Sequence, residues 1–284
     1  MERWIALLAG LLALVVGVLF FWLRGPAPPV AESSQRLFVV EVRDHYFDPP
    51  GLSIQPGDRV VWILEENAQG DGHTVTVYHP SQDRPLRIPA GARPWNSGLM
   101  TQLGQSYAVV FSVSGVYDYF CTLHEQQGMV GRVVVGGTAY LQPAEQGLPA
   151  AAQSAIPTVD ELAGAVGEAF NALALLQGVT YLTKQSQILL ALRQVQELQG
   201  IFSKETEGLL AVALERQGVR EQFENRLTSL EALLSRGAPR GAIEQTVAQA
   251  KALLDAIAQG RLERSALLFE FLFVLDHDVI AFLI

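Results

Sequence analysis

Three metal-binding side chains fall within nine residues of this sequence. The stretch Cys121–Met129, CTLHEQQGM, holds the only cysteine of 284 residues and one of only three methionines. His124 lies three positions after Cys121, and Met129 five after that. A thiolate and imidazole nitrogens are ligands for copper and zinc, and a weak thioether in addition points to copper. Two histidines and a cysteine in a trigonal plane, with a distant axial methionine, make a one-electron copper site. Such a set needs a second histidine from elsewhere. His73 can supply it, because it opens the run HTVTVY directly after the loop ENAQGDG.

Donors this far apart must be gathered by surrounding elements, and the pattern from residue 36 predicts short strands. RLFVVEV (36–42) is apolar and β-branched, and DRVVWIL (58–64) follows the turn signal QPGD. HTVTVY (73–78) alternates with a period of two, and QSYAVVFSV, GVYDYF and GRVVVGG complete about seven strands ending at Gly137. Short strands between Gly and Pro turns indicate a β-sandwich or barrel over 36–137. Residues 79–106 are poor in strand signal and read as a long excursion across one end. In such a sandwich His73 sits at a strand end, Cys121 follows VYDYF, and Met129 precedes the last strand. One end of the sandwich can present all four groups.

This arrangement resembles the cupredoxin family, specifically its plastocyanin-like blue copper proteins. The shared pattern is a first histidine before a Thr/Val strand, then Y-x-Y-F-C-x-x-H-x-x-x-x-M-V-G leading into the last strand. It is met at His73, Cys121, His124 and Met129, and FDPPGLSIQPGDRVVW (47–62) also looks like the family's early strands. The resemblance implies a Greek-key β-sandwich over 36–137 and one type 1 copper ion held by His73, Cys121, His124 and Met129, with reversible one-electron transfer. It implies that His124 lies on an exposed loop as the exit route for the electron. Thr74 stands where relatives often carry asparagine, and the Gly72 carbonyl is a candidate to face the metal. The implied partners are redox proteins such as a cytochrome or a terminal oxidase. The remaining histidines read as structural: His45 solvated or locally bonded, His79 at the far end of its strand, and His277 between two aspartates. Trp95 reads as packing.

Outside this region the chain changes character. Trp4–Leu23 is uncharged and almost wholly apolar, and such a helix spans about 30 Å at about 1.5 Å per residue, a bilayer's hydrocarbon thickness. With no convincing cleavage site after it, residues 1–24 are expected to be an N-terminal transmembrane helix, an uncleaved anchor, with 25–35 as an extended tether. The family's habit places the copper domain on the extracytoplasmic face of a plasma membrane. Residues 138–157 read as a Pro/Ala/Gln linker. From 158 to 284 apolar residues recur at helical spacing in segments closed by glycine, so a C-terminal all-α helical bundle of five or six helices is expected. Its last segment, ALLFEFLFVLDHDVIAFLI, is nearly long enough to span lipid. Glu270, Asp276, His277 and Asp278 would be costly there, which favours a central bundle helix.

Composition removes several functions. A net charge of −9 argues against nucleic acid as a partner. One cysteine allows neither an internal disulfide nor a binuclear copper site, and five histidines cannot furnish a trinuclear centre beside a mononuclear one. No motif supports an enzyme. The alternative to electron transfer is copper storage or delivery, where exposed sites rich in methionine or histidine are the rule. This chain has few of either. The helical half carries 11 Lys/Arg against 16 Asp/Glu, a net −5, and no metal motif, leaving docking, oligomerisation or spacing as its expected roles.

Overall fold

A computed structural model describes residues 35–259 except 69, 138–139, 141–142, 144–146 and 203–207. The expected anchor, nearly all of the tether, and the last apolar segment with His277 lie outside the described residues.

Eight strands form two four-stranded sheets. The first has the order β2-β1-β4-β6, from β1 (Leu37–Arg43), β2 (Tyr46–Asp48), β4 (Arg59–Leu64) and β6 (Ser106–Val110). The second has the order β3-β8-β7-β5, from β3 (Gly51–Ile54), β5 (Thr76–Val77), β7 (Gly115–Phe120) and β8 (Val130–Val135). β1 runs parallel to β4 and β3 parallel to β8, while the other pairs are antiparallel. Alternation decides the faces. Phe38, Val40 and Val42 of β1 and Val60, Trp62 and Leu64 of β4 point into the sandwich, whereas Val39, Val61 and Ile63 form a separate cluster on the other side. Each such side chain, fully buried, contributes roughly 1.5–3 kcal/mol. HTVTVY is a strand only at Thr76–Val77; ahead of it His73 bridges to Met100 of the returning excursion, and Thr76 bridges to Asn96 as well as pairing with β7.

The outer face of the second sheet carries a buried ionic cluster. Asp118, fully buried, accepts from Arg132 Nε at 2.7 Å and Nη2 at 3.1 Å, and from Arg87 Nε at 2.7 Å. Arg132 Nη1 continues to the Pro157 carbonyl at 2.7 Å. Burial of this kind requires that every charge be paired, and these are. Part of the expected linker is therefore structural. Helix α1 (Ala150–Ala155) lies in it, and Leu148, Ala152 and Ile156 pack against Tyr78, Phe120 and Val130.

Six further helices follow: α2 (Val159–Ala163), α3 (Ala165–Lys184), α4 (Ile188–Gly200), α5 (Leu209–Arg216), α6 (Arg220–Ser235) and α7 (Arg240–Ala258). Thr158 and Glu161 start α2 with reciprocal side-chain-to-backbone bonds, a capping box. α3 is buried on nearly every face, the pattern of a helix enclosed by other elements. It packs on β1 and β3 of the sandwich and on α4, α5 and α7. Asn171 meets the edge strand β3 as a neighbouring strand would, accepting from Ser53 N at 3.1 Å and donating to Ser53 O at 2.6 Å. Gln194 donates to Leu37 O at 2.6 Å, and Lys251 Nζ lies 3.2 Å from Glu41. One apolar cluster runs from Phe38 to Ile257, and the described residues from Arg36 onward form one compact unit. Among the described residues no single helix is long and apolar enough to cross a membrane.

Candidate metal centre

The backbone at one end of the sandwich fixes each donor separately. His73 is held by two hydrogen bonds with Met100, N to O at 3.0 Å and O from N at 2.8 Å. Gly72 before it has φ +79, and a Cβ there would stand 2.7 Å from the Met100 carbonyl, so the turn into His73 requires glycine. Cys121 follows the last residue of β7. The chain then turns back on itself: His124 N bonds to Cys121 O at 3.2 Å, and Met129 N to His124 O at 3.1 Å. Cys121 N bonds to Met129 O at 3.0 Å, closing the loop. A one-turn 3₁₀ helix, Glu125–Gln127, lies inside it and ends at Gly128 with φ +92. From the outer side, buried Glu125 accepts from Tyr78 Oη at 2.9 Å and from Arg84 at 2.9 and 3.1 Å. Burial, with Glu125 beside it, pushes the Tyr78 phenol far above its ordinary range, so it remains a neutral donor.

Three of the expected donors meet. Nδ1 of His124 lies 3.1 Å from Nδ1 of His73 and 3.5 Å from Sγ of Cys121, and the three ligating atoms all fall within 4.8 Å of one another. His73 is 1% exposed, Cys121 0% and His124 3%. Met129 is fully buried in the same cluster as Cys121 and is tied by its backbone to both Cys121 and His124. Thr74 acts on the sulfur through its backbone: its N–H points at Cys121 Sγ, 3.3 Å away. Its hydroxyl accepts from Thr122 N at 2.9 Å and from Thr76 Oγ1 at 3.1 Å, clamping the cysteine loop to the histidine strand.

The outward edges of both imidazoles face carboxylates. Asp71 Oδ2 lies 3.0 Å from His124 Nε2, and Asp44 Oδ1 lies 3.7 Å from His73 Nε2. The Asp71 carboxylate at 3.0 Å keeps the His124 proton on Nε2 and leaves the Nδ1 lone pair of that ring free, whereas Asp44 at 3.7 Å is outside hydrogen-bond reach of His73. Nδ1 of His73 lies 3.1 Å from that lone pair and beside the sulfur, where it can either donate a proton to it or share a cation with it. Burial, and then the neighbouring His124, hold the His73 imidazole below its usual range. The hydrogen bond from His124 holds the Asp71 carboxyl below its ordinary value. Two nitrogens and one sulfur, buried and turned to one point, fit copper.

Several expectations change. His124 is not an open edge, because Asp71 occupies its outer nitrogen and the His45 ring lies against it with centroids 4.5 Å apart. His45 is therefore a neighbour of the site and not a merely solvated turn residue; its φ of 65 is what swings it there. His79 stays apart, accepting from Ser81 N at 3.1 Å at the start of a one-turn helix. Trp95 packs with Phe111 and Tyr117 at 5.6 and 5.8 Å between centroids. Asp44 and Asp71 were not singled out by the sequence. The only available signal for Asp71 was its place two residues before His73 in a glycine-bounded loop.

A β-sandwich presenting a buried His₂Cys set at one end defines a mononuclear copper protein. The sequence profile of the copper binding proteins of the plastocyanin/azurin family matches residues 36–136. The plastocyanin of Synechococcus sp. is 34% identical over 130 residues, covering 45% of this chain and 90% of that relative. The chain belongs to this family. The chloroplastic plastocyanin of Tetradesmus obliquus is 32% identical over 92 residues, 31% of this chain and 57% of that protein's length. A solved structure of a reduced Cu(I) amicyanin variant is 30% identical, covers 37% of this chain and 87% of its own, and superposes with a TM-score of 0.28. The family profile ends before the helices, which it does not cover.

Proposed function

We propose that this protein carries single electrons between redox proteins through one copper ion held by His73, Cys121, His124 and Met129. The observation that carries the reading is the convergence of two imidazole nitrogens and one thiolate, all buried, within 4.8 Å. When bound, copper supplies the Cu(II)/Cu(I) couple, and a weak axial thioether beside three strong donors suits both states. The chain's part is to hold that geometry still. Thr74 pins the sulfur and the cysteine loop, Met100 pins His73, and Asp71 with His45 pins His124. Burial keeps bulk water from the donors. Donors closed off in this way favour electron transfer over storage or delivery, which call for an exchangeable, exposed site.

The partner class is a cytochrome, a terminal oxidase or another copper protein, and the role is not enzymatic. Trp4–Leu23 supports tethering to a plasma membrane, and the family's habit supports placing the copper domain on its extracytoplasmic face. The helices act on the site as a brace for the sandwich, through α3 against β1 and β3.

Titration of the full-length chain with a Cu(II) salt tests the reading. One equivalent should bind with the intense colour of thiolate-to-copper charge transfer, lost on reduction and returned on oxidation. Cys121→Ser should abolish the colour, while His79→Ala should keep it. Stoichiometric Cu(II) bound without colour would sink the proposal.

A further inference from the structure

The site differs in one respect from a bare His₂Cys set: the nitrogen of each imidazole turned away from the cluster looks at a carboxylate. These carboxylates come from different parts of the chain. Asp44 belongs to the turn between β1 and β2, and Asp71 to the loop before His73. The two segments are bonded together, since Asp44 accepts from Ala68 N at 3.0 and 3.2 Å. Asn67 holds the loop from both ends, accepting from Gly72 N at 3.1 Å and donating to Thr101 O at 3.1 Å. The loop is therefore built, and it delivers Asp71 Oδ2 to His124 Nε2 at 3.0 Å. His45, next to Asp44, closes the face of the same ring at 4.5 Å.

On the copper reading above, we infer that Asp71 is a positioning and tuning residue that lowers the reduction potential of the site through His124. An N–H donated to a carboxylate makes the opposite nitrogen a stronger donor, and stronger nitrogen donation favours the higher oxidation state. The negative charge of Asp71 acts in the same sense, because it opposes the larger charge of Cu(II) more effectively than that of Cu(I). Asp44 works on His73 in the same direction from the longer distance of 3.7 Å, so its effect is the smaller. One of these two contributions is exposed to salt. The Asp71 side chain is 43% accessible, so added electrolyte screens its charge but leaves its hydrogen bond.

The experiment is equilibrium redox titration of the full-length, copper-loaded chain, wild type beside Asp71→Asn and Asp71→Glu, with the absorption spectrum recorded throughout. The asparagine variant keeps an oxygen acceptor and loses the charge. It should stay coloured while binding Cu(II) up to about tenfold more weakly relative to Cu(I), which is a rise of up to about 59 mV for a one-electron couple. Asp71→Glu should return the potential toward wild type, which a purely structural role would not require. Raising the ionic strength should lift the wild-type potential and leave that of Asp71→Asn nearly still. A coloured Asp71→Asn protein with the wild-type potential overturns the inference and leaves the copper reading standing. A wild-type protein that binds Cu(II) without colour overturns both.

Discussion

Replacing Gly51 by alanine tests whether the copper-binding sandwich and the helices unfold as one body. Gly51 opens β3, and a Cβ built on it stands 2.6 Å from Pro157 Cγ and 2.7 Å from Leu162 Cδ2. Leu162 can swing aside, but the proline ring cannot. Forced overpacking of this kind costs about 1–3 kcal/mol. For a cooperative unit of this size a loss of about 2 kcal/mol lowers Tm by about 4–8 °C. The assay is thermal unfolding of the copper-loaded chain, followed at once by charge-transfer colour and by far-ultraviolet circular dichroism. Because one apolar cluster joins Phe38 to Ile257, both signals should move together to the lower temperature. Suppose instead that the helical signal melts earlier and the colour keeps its wild-type midpoint. The seam would then be a loose contact between separate bodies, and the shared-core argument would fail.

Met129→Leu removes the thioether at similar volume and should give a folded, coloured protein with a raised potential, whereas Met129→Gln should lower it; voltammetry on the three proteins decides. Asp118→Asn withdraws the charge facing Arg132 and Arg87 and should destabilise by about 3–5 kcal/mol in urea unfolding. Thr74→Val leaves Thr122 N without its acceptor and should cost about 1–3 kcal/mol with the colour retained, because the bond to sulfur comes from the backbone. Stability unchanged within about 0.5 kcal/mol would show that the hydroxyl clamp is not holding the loop.

The candidate donors were legible because three of them are local and the fourth opens the alternating run HTVTVY. Spacing alone puts Cys121, His124 and Met129 on one loop, and the apolar, β-branched runs RLFVVEV and RVVWIL mark strands of the sandwich. The surroundings of the donors were not legible. Asp44, His45 and Asp71 reach the site through a left-handed turn and a loop braced by Asn67, and neither leaves a periodic trace. The exposed position expected of His124 failed for the same reason: what covers it comes from elsewhere in the chain. The helical half was readable as helices but not as a lid on the sandwich. α3 is apolar around most of its circumference, which announces burial without saying against what. The helix inside the expected linker escaped notice because AAAQSA offers only Ala152 and its neighbours Leu148 and Ile156 to pack.

The contacts that hold β1 and β3 in place also set an order of events during synthesis and folding. Ser53 waits for Asn171, 118 residues later, Leu37 for Gln194, 157 later, and Glu41 for Lys251, 210 later. Closing spans of this length is entropically slow, since non-local contacts must be assembled before they reward the chain. All four candidate donors have been added to the chain by Met129, when fewer than half of the residues are made. Among the described residues, the contacts that brace the sandwich are not all in place until α7 arrives. A metal ion captured earlier would meet a more pliable set of ligands, so the fixed geometry of the site is expected to come late, with the last of the described helices to join.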